Sequence, residues 1–550
     1  MQTPNLRVRH VLSALAVAVP IVLAAAGCAS PAETSAPPPS PADEPAGGGT
    51  AVLGSISDVD SWNEYLSRQD FAAKLQRRIF LRLAVEQGDP EPESESFEPQ
   101  LAESWEWSDD RLALTFHLRQ ARWSDGRPVT ADDVRFTWEA QTDPAVAWIN
   151  ASTKRHITAV EVAGERSARF VFDRRYPYQL ADAVEGGILP RHVFGQVPFE
   201  AWRTHDWSAV SVGSGPFVLE RHRPAEEIVL RRNPHFFRRG LPRVERVVIR
   251  VVPDAANLTA QLLSGDIDYF EGLAPRDAER LAAGKSVSLV DFDYPKYDFI
   301  GWNGARPPFD DPEVRRALTI AIDREALVEQ ALYGYGRVSR GPVLSFSWGA
   351  DPTLEPLPYD PDEAARILAR KGFAARGADE PASGDRAPLR IELLTNAGNE
   401  LRQAMAVKIQ EQLSRVGVLV TVRTLEMKTL VARCTAGDYD AYLGGWTIPG
   451  KIDLEPIFGS ASRPPNGSNV VAFHSPEVDG LLRRLDEAED RAAMRPLLQA
   501  LQRRIHEEQP YTFLYETKRI AALGPRLSGM RIDDPADPLA ALEHCRLRRS

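Results

Sequence analysis

Residues Leu101 to Ala140, LAESWEWSDDRLALTFHLRQARWSDGRPVTADDVRFTWEA, carry several local folding signals in one fixed order. Leu112, Leu114, Phe116 and Leu118 alternate with Arg111, Ala113, Thr115 and His117. A period of two places the apolar set on one face of a half-buried strand. Ser124-Asp125-Gly126 then turns the chain. Thr130 stands where a helix N-cap belongs and Asp133 follows three residues later, the spacing of a capping box, ahead of Val134, Phe136 and Trp138. The stretch predicts a strand, a tight turn and a capped helix.

The same grammar continues downstream and predicts an α/β chain. Val244 to Val252, Leu389 to Leu394 and Val418 to Val422 are short apolar runs set between helical patterns. Asp311-Pro312 opens a helix whose Val314, Leu318, Ala321 and Ile322 share a face, and Asp323 starts the next. Asp360-Pro361 begins another that stops at Gly372. Leu401, Met405, Ile409, Leu413 and Val416 recur at helical spacing until Gly417, and a strand follows directly. No repeat of 20 to 50 residues is visible, which argues against solenoids and propellers. With 550 residues, 43% of them hydrophobic, the chain can bury sizeable cores in two or three lobes.

The N-terminus reads as an export signal. Arg7 and Arg9 precede an apolar run from Val11 to Ala26 that ends at Ala25-Ala26-Gly27-Cys28. The run is short for a membrane span, which needs about 20 apolar residues, and small residues before Cys28 suit cleavage there with lipidation of Cys28. Plain cleavage near this point is the alternative. Residues 29 to 49 hold six Pro and three Gly and no aromatic, so they cannot bury enough apolar area to offset the entropy of ordering them. They form a tether that reaches up to roughly 65 Å if extended. The formal net charge of −11 argues against nucleic acid as a partner. Beyond Cys28 there are only Cys434 and Cys545, which can pair outside the cytoplasm if their Cα atoms come within about 7 Å.

Catalytic motifs are missing. His506-Glu507-Glu508-Gln509-Pro510 lacks the second His of a zinc-presenting helix. No Lys has a Ser three positions before it, and Gly213-Ser214-Gly215 is not a nucleophile elbow. Gly284-Lys285-Ser286 ends like a phosphate loop, but Glu279 stands where its first Gly belongs. With no close His pair and no C-x-x-C, no metal site and no cofactor are expected. The carboxylate pairs Asp109-Asp110, Asp132-Asp133 and Asp310-Asp311 read as turns and helix caps, since each falls at a loop or at the start of a helix.

One set of motifs carries a resemblance. Ala102-Glu103-Ser104-Trp105 and Trp123-Ser124-Asp125-Gly126-Arg127-Pro128-Val129-Thr130 are followed by Gly213-Ser214-Gly215-Pro216-Phe217, Arg232-Asn233-Pro234-His235-Phe236, Leu263-Ser264-Gly265-Asp266-Ile267-Asp268, Pro308-Phe309-Asp310-Asp311-Pro312, Gly445-Trp446 and Gln509-Pro510-Tyr511. In this order the chain resembles the peptide/nickel type (family 5) of extracytoplasmic solute-binding proteins of ABC importers, over roughly residues 50 to 530. The resemblance implies a two-lobed periplasmic-binding-protein fold, type II-like, with an extra subdomain inserted in lobe one. Lobe one would take residues 50–75, 200–296 and 515–550, the insert 76–199, and lobe two 302–510. Crossings would fall near Tyr297 to Trp302 and Thr512 to Tyr515.

It also implies a monomeric binding protein without catalysis, anchored outside the cytoplasm through Cys28, which hands a small polar solute to ABC permease subunits. Ligand-lining candidates are Trp446, Trp302, Asn303, Tyr297, Trp62 and Trp348; aromatic faces grip varied ligands with few rotamers to freeze. In the resembling peptide binders an Asp three residues after the Trp pairs with the peptide's ammonium, whereas this chain has Pro449. Leaving one partner of a buried ion pair alone costs about 3 to 5 kcal/mol, roughly a hundredfold to several thousandfold in affinity. Either Asp453 or Glu455 takes over that role, or the ligand has no free amine. A short peptide leads the expectation; sugars and metal chelates stay open. A ligand-sensing or adhesion lipoprotein and a secreted hydrolase are the rival readings.

Overall fold

The computed structural model describes residues 48–87, 97–282, 284, 286–374, 386–448 and 450–548. The expected leader, Cys28, all of the tether except Gly48 and Gly49, and Pro449 lie outside the described residues.

The local signals of 101–140 fold as read. Strand Ala113–Leu118 buries Leu114, Phe116 and Leu118. Thr130 and Asp133 form a reciprocal capping box on helix Ala131–Thr142. Asp311 caps helix Pro312–Ile320 through the Glu313 N–H, and Asp110 accepts the Leu112 N–H in a turn, so these acids hold backbone donors. Strands Ala102–Trp107, Ala113–Leu118, Ser167–Phe172 and Ile157–Gly164 make a separate antiparallel sheet, with the helix Ala131–Thr142 against it.

The main sheet has eleven strands among the described residues. On one side Thr50–Ser55 pairs in parallel with Arg246–Val251 and Tyr269–Glu271, and Glu227–Arg232 and Phe217–Arg223 extend that edge. On the other side Arg390–Asn396 pairs in parallel with Leu419–Leu425 and Ala441–Thr447. Two long antiparallel strands, Ser288–Trp302 and Tyr511–Leu523, stand between these groups and belong to both. Their register breaks between Asp293/Lys518 and Tyr297/Glu516, where three residues face one. Pro295 falls inside this gap; it has no N–H to give to a ladder, and an irregular stretch is where a central strand tolerates it. The long strands thus pass from one half of the sheet to the other through a local interruption.

Each half carries a core of its own, and a further buried cluster joins residues 81–188 to residues 297–513. Met405, Ile409 and Leu413 of helix Glu400–Arg415 bury against Ile391, Leu393 and Leu443, as their spacing predicts. Leu75, Ile79, Phe217, Val247 and Leu542 belong to the core under the first half. Cys434 and Cys545 are both free, each buried in a different core cluster, so the pairing allowed by sequence is not made. Burial pushes each thiol up to about 12. No helix of the described residues is long and apolar enough to cross a membrane.

Candidate functional site

Strand Ala441–Thr447 ends the second half of the sheet beside the long strand Ser288–Trp302, with Trp446 opposite Tyr297 and Gly445 opposite Asp298. The glycines ahead of Trp446 are dictated by close approach. A Cβ on Gly444 would lie 2.8 Å from the Phe299 ring, and one on Gly445 would lie 2.4 Å from the Arg402 guanidinium. Beneath Gly445, the Asp298 carboxylate takes Arg402 at 2.6 Å and Lys296 at 2.9 Å, with the Asp298 side chain only 3% exposed. Trp446 is half-buried, lies parallel to Phe299 at 6.4 Å between centroids, and donates its indole N–H to the Tyr511 hydroxyl at 3.3 Å. Phe299 stacks in turn on Tyr511 at 3.9 Å. The indole is therefore held in one orientation by an aromatic wall.

The other candidates divide. Tyr297 is wholly buried against Phe299 and Phe513, and its hydroxyl has no partner; burial holds the phenol far above its ordinary range. Trp302 stacks on Phe309 and donates to the Thr512 hydroxyl at 3.0 Å, inside the core of the second half. Asn303 donates to the carbonyls of Gly437 and Tyr439 and accepts from the Ala305 N–H, which uses its amide to pin a loop. Asp453 is exposed and accepts the Glu455 N–H at 3.3 Å, while Glu455 accepts the Ser462 hydroxyl. Trp348 is half-buried, with the Arg491 guanidinium 5.0 Å over its ring and its indole N–H without an acceptor.

Trp62 stands apart from all of these. It lines a cavity of about 460 Å³ with Tyr65, Arg68, Ile149, Arg203 and Trp207, just beyond the carboxyl end of strand Thr50–Ser55. Its indole N–H donates to His222 Nδ1 at 3.0 Å, so that nitrogen is an acceptor and the ring proton sits on Nε2, which donates to Asp58 at 2.8 Å.

Sequence reading missed a second junction between the halves. Residues 86–185 meet residues 451–491 directly, through side chains. Lys451 reaches Asp182 at 3.2 Å, Arg491 pairs with Glu86, Arg174 with Asp486 at 3.2 Å, and Arg175 with Glu489 at 3.1 Å. The Tyr178 hydroxyl accepts the Ile452 N–H at 3.1 Å and lies 3.3 Å from the Ile452 carbonyl, to which it donates. Behind this face lies a buried charge cluster. Lys154 donates to the carbonyls of Asp182 and Glu185, and burial brings its ammonium down to about 8. Burial works to raise the Glu185 carboxyl, but Arg82, Arg77 and Lys154 outweigh it and hold it below its ordinary value. No local pattern marks these residues, since Lys451 and Asp182 are 269 positions apart.

At the interruption of the long strands Glu516 is buried, accepts the Ser345 N–H at 2.9 Å and hydroxyl at 2.6 Å, and is pushed above its ordinary range by burial. Arg337 lies between it and Asp293. The halves thus meet at an interrupted pair of strands and at a charged face, with the Trp446 wall on strands that run between them.

Comparison with known proteins agrees with this architecture. Residues 96–467 match the family model of bacterial extracellular solute-binding proteins, family 5. The oligopeptide-binding protein AppA of Bacillus subtilis is 29% identical over 540 residues, covering 96% of this chain and 98% of its own length. The structure of B. subtilis AppA in complex with a nonapeptide superposes with a TM-score of 0.72 over 92% of this chain and 100% of the other. Heme-binding protein A of Haemophilus influenzae is 27% identical, covering 79% of this chain and 82% of its own length. The Listeria monocytogenes substrate-binding protein CtaP, at 20% identity and a TM-score of 0.80 over 91% of this chain and all of the other, shares the fold. By their names these relatives are solute-binding proteins, and they share the mixed α/β fold described above. The chain belongs to the bacterial extracellular solute-binding proteins, family 5.

Proposed function

We propose that this chain is the lipid-anchored substrate-binding component of an ABC importer, which encloses a short peptide between its halves and delivers it to permease subunits in the membrane. The observation that carries this reading is the near full-length likeness to a protein solved with a nonapeptide. The Trp446 wall supports it, because a rigid indole offers apolar area to side chains of many kinds at little entropic cost.

In this reading residues 50–75, 200–296 and 515–550 form lobe one, 76–199 its insert and 302–510 lobe two. The hinge is the register interruption at Asp293–Tyr297 and Glu516–Lys518, where few ladder bonds resist rotation. Closure is driven by contacts made only when both lobes touch the ligand. Cys28 carries the lipid and residues 29–49 are the leash. Trp446 and Trp348, both half-buried, face the ligand, whereas Tyr297 packs within the wall and Trp302 and Asn303 hold the second half together.

Native mass spectrometry of the protein purified gently from a bacterial host tests the reading. A set of added masses that sequence as peptides is the expected result. A single discrete non-peptide mass would replace the peptide with another solute class, and loss of the adduct in Trp446→Ala would tie it to the wall.

A further inference from the structure

The starting point is the peptide reading above. A ligand ammonium enclosed between the halves needs a carboxylate partner, because a buried unpaired charge is costly. Four acids take part in the charged face, and their side-chain exposures separate them: Glu86 is 29% exposed, Asp486 62% and Glu489 60%, but Asp182 only 4%. Asp182 is therefore the one of the four that is withdrawn from water. Its carboxylate oxygens lie 3.2 and 3.4 Å from Lys451 Nζ.

The lysine is placed there by the backbone on both sides. Trp446 lies five residues before it, and Ile452, directly after it, is bound through both N–H and carbonyl to the Tyr178 hydroxyl. The Tyr178 ring also lies 5.1 Å beneath the ammonium. On the other side, Lys154 fixes the carbonyl of Asp182. The remaining buried acids near the long strands are engaged as well. Glu271 takes Lys74 and Arg519, Asp298 takes Arg402 and Lys296, and Glu516 takes Ser345. Glu64 keeps one oxygen without a partner, but its other oxygen takes the Gly187 N–H and its charge is already balanced by Arg82 and Arg77, with Glu185 beside them. Asp453 and Glu455 are exposed and hold their own loop.

We infer that Lys451 is a specificity-determining residue: its ammonium occupies Asp182, so the enclosed part of the ligand carries no free amine, and N-blocked peptides are accepted as well as free ones. The lysine acts as a built-in substitute for a ligand terminus.

The test is competition between a pool of synthetic nonapeptides with free N-termini and the same pool N-acetylated, at equal concentrations, read by native mass spectrometry on the purified protein. The wild type is expected to take the two pools within about threefold of each other. Lys451→Met removes the ammonium that lies on the Asp182 carboxylate, leaving Lys154 and Tyr176 beside it, and is expected to favour the free amines by about tenfold or more, the direction of restoring a buried ion pair. Lys451→Met with Asp182→Asn returns to indifference. A wild type that prefers free amines by tenfold overturns the inference, as does a Lys451→Met protein that still binds with an unchanged ratio. Failure of both pools to bind the wild type is a different result, which removes the peptide reading and the inference with it.

Discussion

The halves of this protein are joined twice, once by continuous backbone and once by side chains with ion pairs at their rim. Strands Ser288–Trp302 and Tyr511–Leu523 join them through backbone hydrogen bonds and a buried aromatic wall. Residues 86–185 and 451–491 join them by side chains alone: Tyr178, Ile452 and Leu454 share one buried apolar cluster, and around it lie ion pairs, several at the surface. Backbone ladders and buried rings are insensitive to salt, whereas exposed ion pairs weaken as added salt shortens the Debye length from about 8 Å at physiological ionic strength to about 3 Å at 1 M. In the proposed reading the first junction is the hinge and the second a clasp that opens.

The largest effect is expected at the hinge side. Asp298→Ala leaves Arg402 buried without its carboxylate, which costs about 3 to 5 kcal/mol, to be read from urea unfolding followed by tryptophan fluorescence. A loss below about 1 kcal/mol would show that the pair is hydrated and that the wall stands without it. At the clasp, Arg174→Ser with Arg175→Ser removes two exposed pairs worth at most about 1 kcal/mol each, so global stability should barely change. Small-angle scattering of the ligand-free variant should instead show a larger radius of gyration, and the wild type should approach it in 1 M salt. Equal radii for both proteins at all salt concentrations would remove the clasp.

Glu516 gives a pH-dependent prediction at the hinge itself. Its folded value is raised above the ordinary 4.5, first by burial. The protonated form is then the one the fold prefers, and its contribution is complete below 4.5 and lost as pH rises through the raised value. Glu516→Gln imitates the neutral acid, so the Tm advantage of the variant over wild type should grow as pH rises from 4.5 upward. A constant difference would place Glu516 in contact with water. The smallest signal is chemical: with their thiols held at about 12 by burial, Cys434 and Cys545 should resist iodoacetamide at pH 8 in the folded protein and react in urea, as intact mass shows.

The contrast between the junctions also explains what could be read from sequence. Caps, turns and alternating strands depend on residues a few positions apart, so Thr130 with Asp133, Asp311 before Pro312 and the apolar face of 401–416 predicted their elements directly. The long strands were harder, because Pro295 and the register break interrupt any regular pattern. The clasp was not legible at all. Lys451 belongs to no local pattern, and only folding brings Asp182 to it. Trp302 and Asn303 stand out in a motif, yet their surroundings are set by Thr512 and Tyr439, far along the chain.

Hydrogen–deuterium exchange tests the central claim most directly, with the protein stripped of its co-purified solute compared with the same protein refilled with that solute. Added protection is expected in segments 176–185 and 446–454, with strands Ser288–Trp302 and Tyr511–Leu523 slow to exchange in both states. Protection confined to 59–68 and 203–208, around the cavity of Trp62, would place the ligand within one half and contradict closure of the two halves upon it.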